Sequence, residues 1–432
     1  MAVNAYLFFI RCMVLSWFNR REEKMAVSDL LHKFTYRYTA AERGSWLSPV
    51  RYFKKAAMMV WRSNPIAIKA TDAGLVYESD RSFEETDRHY FSGIIREVPA
   101  FVFRSDLPNT LNFFQKCFYL CQLALLFFYV LPAALLARDK AGRSLILLEL
   151  TEALLLFHVI KSYSCKDIYI LSAFERDIVF VSCFLKCNGR RVLLVPSSNP
   201  VSFFYKNVIC DTFIFTAPFQ AYEYEKLKQN WIIENTSLWP PFEYYSIERN
   251  TGGSGPQPRV IGLMSSASAL REHLKHNNHS QNKDLDAEKA LIGSLAVFLS
   301  ENKQYRLLIY LHPLEKANED NLIFSRNYYR INFGEAVQFA PPQPSRSCFH
   351  LCDVAVSGFS SAQIERLYGG FKVVFAPMGF FENYFSDPRL DAISIHSTQE
   401  FASRLEAMLS MSTSSFFETF DLKQYRWDFY KL

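Results

Sequence analysis

The chain has 432 residues, 50% of them hydrophobic and 16% aromatic, with a formal net charge of +5. That length and apolar content suit two domains with separate cores and argue against a disordered or fibrous chain. The charge excess is too mild for a nucleic-acid-binding face. The nine cysteines are odd in number and lack a CxxC pair, which argues against a disulfide framework or a zinc site.

Met1 to Phe18 is apolar with Arg11 in its middle, and Asn19-Arg20-Arg21 follows. A secretory signal would put its charges first and end in small residues, so this stretch reads as none, and Met25 is an alternative start. The cysteine pairs Cys117/Cys121, Cys183/Cys187 and Cys348/Cys352 read as buried small hydrophobes in a reducing cytoplasm, where the sequons at Asn235 and Asn278 carry no weight.

Residues 1–110 form an aromatic and basic N-terminal region, as in Arg51-Tyr52-Phe53-Lys54-Lys55, expected to hold short strands and helices. Phe118 to Ala137 then runs for about 20 residues without a charge, between Lys116 and Arg138, close to a bilayer's span. A single span would part the two halves of the chain. The expectation is therefore a helix lying in one leaflet, or one buried under a sheet with the amphipathic run Ser144 to Ile160 beside it.

From Asp167 the pattern alternates between strands and helices. Strands are expected over Asp167 to Ala173, Arg190 to Pro196 and Asp211 to Thr216, with helices over Asp177 to Cys187 and Gln220 to Gln229. Thr251-Gly252-Gly253-Ser254-Gly255-Pro256-Gln257-Pro258 reads as a linker. A second series follows, with strands at Val260 to Met264, Arg306 to Leu311, Val337 to Ala340, Asp353 to Val356 and Val373 to Ala376. Helices are expected at Ala267 to His273 and Ala287 to Glu301. The expected fold class is α/β: two doubly wound, Rossmann-like domains facing a cleft, with a helical, aromatic-rich N-terminal region. The domains would be 111–250 and 259–395, joined by linker 251–258 and followed by a helical tail 396–432.

His312-Pro313 closes one strand of the second series. Ser360-Ser361 follows another and opens the helical pattern Gln363-Ile364-Glu365-Arg366-Leu367-Tyr368. Carboxyl ends of parallel strands converge on one crevice, so an imidazole, two hydroxyls and a helix N-terminus there would make a phosphate site. A loop-capping histidine and helix-capping serines are the alternatives. Ser265-Ser266 repeats the geometry at another strand tip, and Glu365 could reach a sugar hydroxyl or be a solvated helix residue. In the first series, Glu175 or Asp177 could be a general base or could pair with Arg176 or Arg190. Asp284-Leu285-Asp286 has the form of a metal-binding DxD, but it lies in a polar loop opening a helix and is assigned no metal. No GxGxxG, P-loop, HExxH or G-x-S-x-G motif is present.

Strand-HP followed by strand-SS-helix in the second of two such domains resembles the GT-B glycosyltransferases that use CMP-sugars, the bacterial sialyltransferases and Kdo transferases. CDP-glycerol glycerophosphotransferases are similar. The resemblance covers about residues 165 to 395 and implies that His312-Pro313 and Ser360-Ser361 hold the nucleotide phosphate. It also implies that Glu335, in Phe333-Gly334-Glu335, is a ribose-binding acid. Tyr310 stands where sialyltransferases often have a lysine, and their acidic base motif is absent, Glu175 being a positional substitute.

The function expected is transfer of a sugar from a nucleotide donor to a surface polysaccharide or lipid-linked acceptor, without a metal or bound cofactor, the nucleotide-sugar being a co-substrate. The setting would be cytoplasmic, with a peripheral contact at the inner membrane face and no nucleic-acid partner. A non-catalytic scaffold of envelope-polysaccharide assembly and a sugar-nucleotide epimerase are the alternatives.

Overall fold

The fold is given by a computed structural model that describes residues 48–62, 74–78, 100–103, 111–136, 140–161, 163–171, 181–182, 185, 189–195, 208–227, 231–239, 259–274, 281–335, 337–358, 360–378 and 385–430. Two compact units divide the chain: Met1–Thr216 with Tyr224–Trp239, and Ala217–Glu223 with Pro240–Leu432. The Gly-rich stretch 251–258 lies outside the described residues.

In the first unit, helix α1 (Ser48–Arg62) precedes strands β1 (Leu75–Glu78) and β2 (Ala100–Phe103). Helices α2 (Phe113–Leu136) and α3 (Lys140–Lys161) follow, then β3 (Asp167–Leu171), β4 (Arg191–Val195), β5 (Val208–Phe215) and β6 (Trp231–Leu238), while helix α4 (Phe219–Leu227) is divided between the two units after Glu223. The strands form one parallel sheet in the order β2-β1-β3-β4-β5-β6. The β3 and β4 interiors are buried almost throughout, as their unbroken apolar runs require in a sheet covered on both faces. At their amino ends Arg191 pairs with Asp167, and Asp211 accepts a bond from the Val192 amide at 2.6 Å.

Three strands of this sheet escape the sequence reading, for two different reasons. β1 and β2 lie within the region expected to be a separate aromatic segment, so the N-terminal third builds one edge of the sheet rather than standing outside it. β6 is the opposite edge, and its exposed Glu234, Asn235 and Thr236 hide the alternation that would mark a strand. The apolar run expected at Phe118 to Ala137 is α2. One side of it, with Tyr119, Leu123 and Leu126, is buried. Phe127 meets Phe53 of α1 with ring centroids 4.7 Å apart, and the Tyr119 hydroxyl bonds His158 Nε2 of α3 at 2.6 Å. Among the described residues no helix is long and apolar enough to cross a membrane.

The second unit carries β7 (Val260–Met264), α5 (Ser268–His273), α6 (Gln281–Glu301), β8 (Arg306–Tyr310), α7 (Glu319–Phe333), β9 (Gln338–Phe339), β10 (Val354–Ser357), α8 (Ser361–Tyr368) and β11 (Lys372–Phe375). Helices α9 (Pro388–Ala392), α10 (Thr398–Ser410) and α11 (Thr413–Thr419) complete it. All five strands are parallel, in the order β11-β10-β7-β8-β9. Asp284-Leu285-Asp286 lies within α6 rather than in a loop before it, because that helix begins at Gln281.

Two sequence choices fix this sheet. A Cβ on Gly262 of β7 would stand 2.6 Å from Cys352 Sγ and 2.9 Å from the Tyr310 ring, so only glycine fits beneath them. Arg366 of α8 is wholly buried. It donates to the carbonyls of Lys372 (3.0 Å), Cys352 (2.6 Å) and Phe349, with its guanidinium 4.9 Å from the centroid of the Phe371 ring. The expected C-terminal tail is part of this core. Phe401, Leu405 and Met408 of α10 are buried, each contributing roughly 1.5–3 kcal/mol. The Tyr425 hydroxyl bonds buried Asp387 at 2.6 Å.

Candidate active site

A sheet ordered β11-β10-β7-β8-β9 reverses direction between β7 and β10, since successive strands run outward from β7 on one side and from β10 on the other. At such a reversal the connections leave to opposite faces and open a crevice outside the carboxyl ends. The register puts Met264 level with Tyr310, and Leu263 level with Val356. The segments leaving β7, β8 and β10 therefore start side by side. They carry Ser265-Ser266, His312-Pro313 and Ser360-Ser361, so three of the expected features share one edge.

His312 is half-buried and starts a 3-10 turn over Pro313–Lys316. Its Nδ1 accepts from the Leu314 amide at 3.1 Å, and its own amide donates to Glu315 Oε2 at 2.7 Å. Pro313, exposed, starts the turn where a missing amide proton costs nothing. Burial holds the imidazole down at about 4, helped by the positive charges of Arg271 and Lys316. The ring is therefore neutral near pH 7, and with Nδ1 accepting, its proton sits on Nε2. Of the two forms open to an imidazole at this strand end, hydrogen-bonding or protonated, His312 takes the neutral, hydrogen-bonding one.

Ser265 and Ser266 differ from expectation. The Ser265 hydroxyl is buried, accepting from the Ala267 amide (3.0 Å) and the Tyr329 hydroxyl (2.6 Å). Ser266 Oγ donates to Glu288 Oε2 and contacts Ser268 Oγ at 2.7 Å, while its carbonyl accepts from Arg271 at 2.6 Å. Both hydroxyls are engaged inside the fold, so this tip offers a ligand backbone rather than side chain. Ala267 takes the left-handed conformation at φ 58°, a strained choice for a residue with a Cβ.

Beneath this tip lie two buried carboxylates that the sequence reading missed. Glu315 is pushed up to about 7 by burial and by the Glu288 charge, against the stabilising bonds from the Ser265 hydroxyl and the His312 amide. Its signal was legible. It stands three residues after His312, completing a capping box with proline at the first position. Glu288 gave no such sign, coming from α6 more than twenty residues from the tip it holds.

The Ser360-Ser361 pair is built the other way. Ser357, buried at the end of β10, donates to Gln363 Oε1 at 2.5 Å, and Gln363 Nε2 donates to the carbonyls of Val374 (2.8 Å) and Ala355 (3.3 Å). Gln363 thereby ties α8 to the sheet. The Ser360 carbonyl accepts from the Gln363 amide at 3.0 Å, yet its side chain makes no cap bond, and Ser361 is exposed at the first helical position. Glu365, half-buried one turn on, is pushed up to about 7 by burial against the pull of Arg346.

One expected residue, Glu335, is not brought to this edge. Glu335 follows α7 and precedes β9, at the amino ends of the strands. It is exposed and pairs with Arg330 at 3.5 Å. Topology thus puts it opposite the strand tips, which corrects its expected ribose contact. Glu175 and Asp177 lie outside the described residues, beyond the end of β3 at Leu171. Among the described residues no group of three or more His, Cys, Asp or Glu side chains could hold a metal ion.

No family model matches the chain, and no curated protein matches it. Among solved structures it is similar to a glycosyltransferase from Rickettsia africae (10% identity, 83% of this chain and 96% of that one, TM-score 0.46). It is also similar to the UDP-GlcNAc 2-epimerase from Neisseria meningitidis bound to UDP-GlcNAc (9%, 80% and 93%, TM-score 0.42). A third is an O-GlcNAc transferase mutant from Thermobaculum terrenum (10%, 98% and 77%, TM-score 0.37). At these identities and TM-scores the overlaps decide no chemistry, and the reading below rests on this chain's own strands and side chains.

Proposed function

We infer that the chain is a nucleotide-sugar enzyme of GT-B type, a glycosyltransferase that moves a sugar from a nucleotide donor to a surface polysaccharide or lipid-linked acceptor. The observation that carries this reading is the alignment of three strand tips at the reversal point of the second sheet. There the α8 N-terminus and the Ser360 and Ser361 hydroxyls meet the same edge as a neutral His312.

A departing nucleotide phosphate gains negative charge as the glycosidic bond breaks. Amides at a helix start, two hydroxyls and an Nε2–H donor can answer that charge with dipoles already oriented. In this reading His312, Ser360 and Ser361 hold the phosphate, and Glu365 is the acid for a sugar hydroxyl. Glu175 is the base if the reaction inverts, and no metal takes part. The donor to test first is a CMP-sugar, because the HP and SS pairs are the features that carry the resemblance.

Calorimetric titration of the full chain with CMP, CDP and UDP tests the reading. We expect CMP binding that weakens about tenfold or more in His312→Ala, the worth of one hydrogen bond to a charged group. Binding of UDP alone would keep the enzyme class and overturn the donor. Binding of none of the three would overturn the transferase reading.

A further inference from the structure

We propose that the outer faces of α1 and α2 form a docking surface for an anionic lipid bilayer. On α1 the exposed side chains are Val50, Arg51, Lys54, Lys55, Met58, Trp61 and Arg62. At 3.6 residues per turn they occupy one arc of roughly 140°. The opposite side of the helix buries Ala56 and Val60.

On α2 the exposed residues Phe114, Phe118, Cys121, Leu125 and Phe128 recur at alternating steps of four and three, a single stripe. Phe114 is 83% exposed and Phe128 69%. The two faces join where Trp61 meets Phe113, both more than half exposed, at 6.5 Å between ring centroids. Lys116 fastens the junction by donating to the Trp61 carbonyl at 3.0 Å.

An apolar stripe of this length on a folded protein needs a covering. Charge identifies it. Neither helix contains an acidic residue, while α1 exposes four cations and α2 adds Lys116. A second copy would bring two such cationic faces together. An anionic bilayer instead satisfies both parts, taking the aromatic rings into the headgroup boundary and the lysines and arginines onto its charge. The buried side of α2, held by α1 and α3, keeps that helix lying along the surface rather than crossing it.

The test is flotation of the full chain with vesicles of pure phosphatidylcholine, and of equal parts phosphatidylcholine and phosphatidylglycerol. It needs no nucleotide, so its failure is distinct from failure of the transferase reading. We expect binding to the anionic vesicles only, lost at high salt. Lys54→Gln with Lys55→Gln should weaken it about 30-fold, at about a fivefold factor per cation. Phe114→Ser with Phe128→Ser should weaken it at least about tenfold. These positions are exposed, and unchanged melting midpoints would establish that the variants fold. Equal binding to neutral vesicles, no vesicle binding, or self-association abolished by the phenylalanine variants would each overturn the proposal, the last in favour of a second copy.

Discussion

Two Ser-Ser pairs end neighbouring strands of the same sheet, and they meet opposite fates. Ser265 and Ser266 turn their hydroxyls inward, onto Tyr329, Ala267, Glu288 and Ser268. Ser360 makes no cap bond and Ser361 is exposed, because Gln363 has taken over the tie between helix and sheet. The difference follows from what lies below each tip. Under the first are two buried carboxylates that demand donors. Under the second is an amide side chain that satisfies both itself and the sheet. A dipeptide motif therefore marks a strand tip without revealing whether its hydroxyls face a ligand.

The largest expected effect probes the carboxylate beneath the first tip. Glu315 has its folded value raised to about 7, above the ordinary carboxylate value it would have unfolded. Between those values the folded state holds the extra proton, so stability is greatest at low pH and falls as pH rises toward 7, by up to about 3 kcal/mol. His312, held down at about 4, acts in the opposite sense: it adds stability as pH rises from about 4 to 6.5. The two slopes oppose each other over most of that window. Glu315→Gln should remove one of them, so that variant-minus-wild-type stability, read from denaturant midpoints, rises steadily from pH 4.5 to 7. A flat difference would mean the carboxylate is not buried as described.

Next in size is Ser265→Ala. It strands the Tyr329 hydroxyl and the Ala267 amide and withdraws a donor from Glu315, at about 2 kcal/mol of stability. Nucleotide affinity should change little. If the variant instead binds nucleotide poorly at full stability, the first tip is a ligand contact after all and the contrast between the pairs disappears.

The sheets were legible because buried parallel strands are unbroken apolar runs, as Leu307-Leu308-Ile309-Tyr310 illustrates. Edge strands were not. Trp231–Leu238 is half polar, and Leu75–Glu78 is only four residues inside an aromatic stretch. Which strand tips stand together was legible only in outline, since it depends on the order β10-β7-β8, which pairs segments about ninety residues apart. Glu288 was beyond reach for the same reason, while Glu315 was missed although its capping box was present. Glu335 failed because spacing along the chain does not say at which end of a sheet a residue emerges.

Ser360→Ala with Ser361→Ala gives the smallest effect and the sharpest comparison, because it separates affinity from stability. Removing two hydroxyls that hold up no part of the fold should leave the denaturant midpoint within about 0.5 kcal/mol of wild type. The α8 amides would still face the phosphate, so nucleotide binding should weaken rather than vanish, by about tenfold, or roughly 1.4 kcal/mol. The same substitutions at Ser265 and Ser266 should do the reverse, costing stability and sparing affinity. Exchange of the two results would reassign the phosphate to the β7 tip. Loss of stability from both pairs would make capping the role of every serine here and leave His312 as the only side-chain donor of the reading.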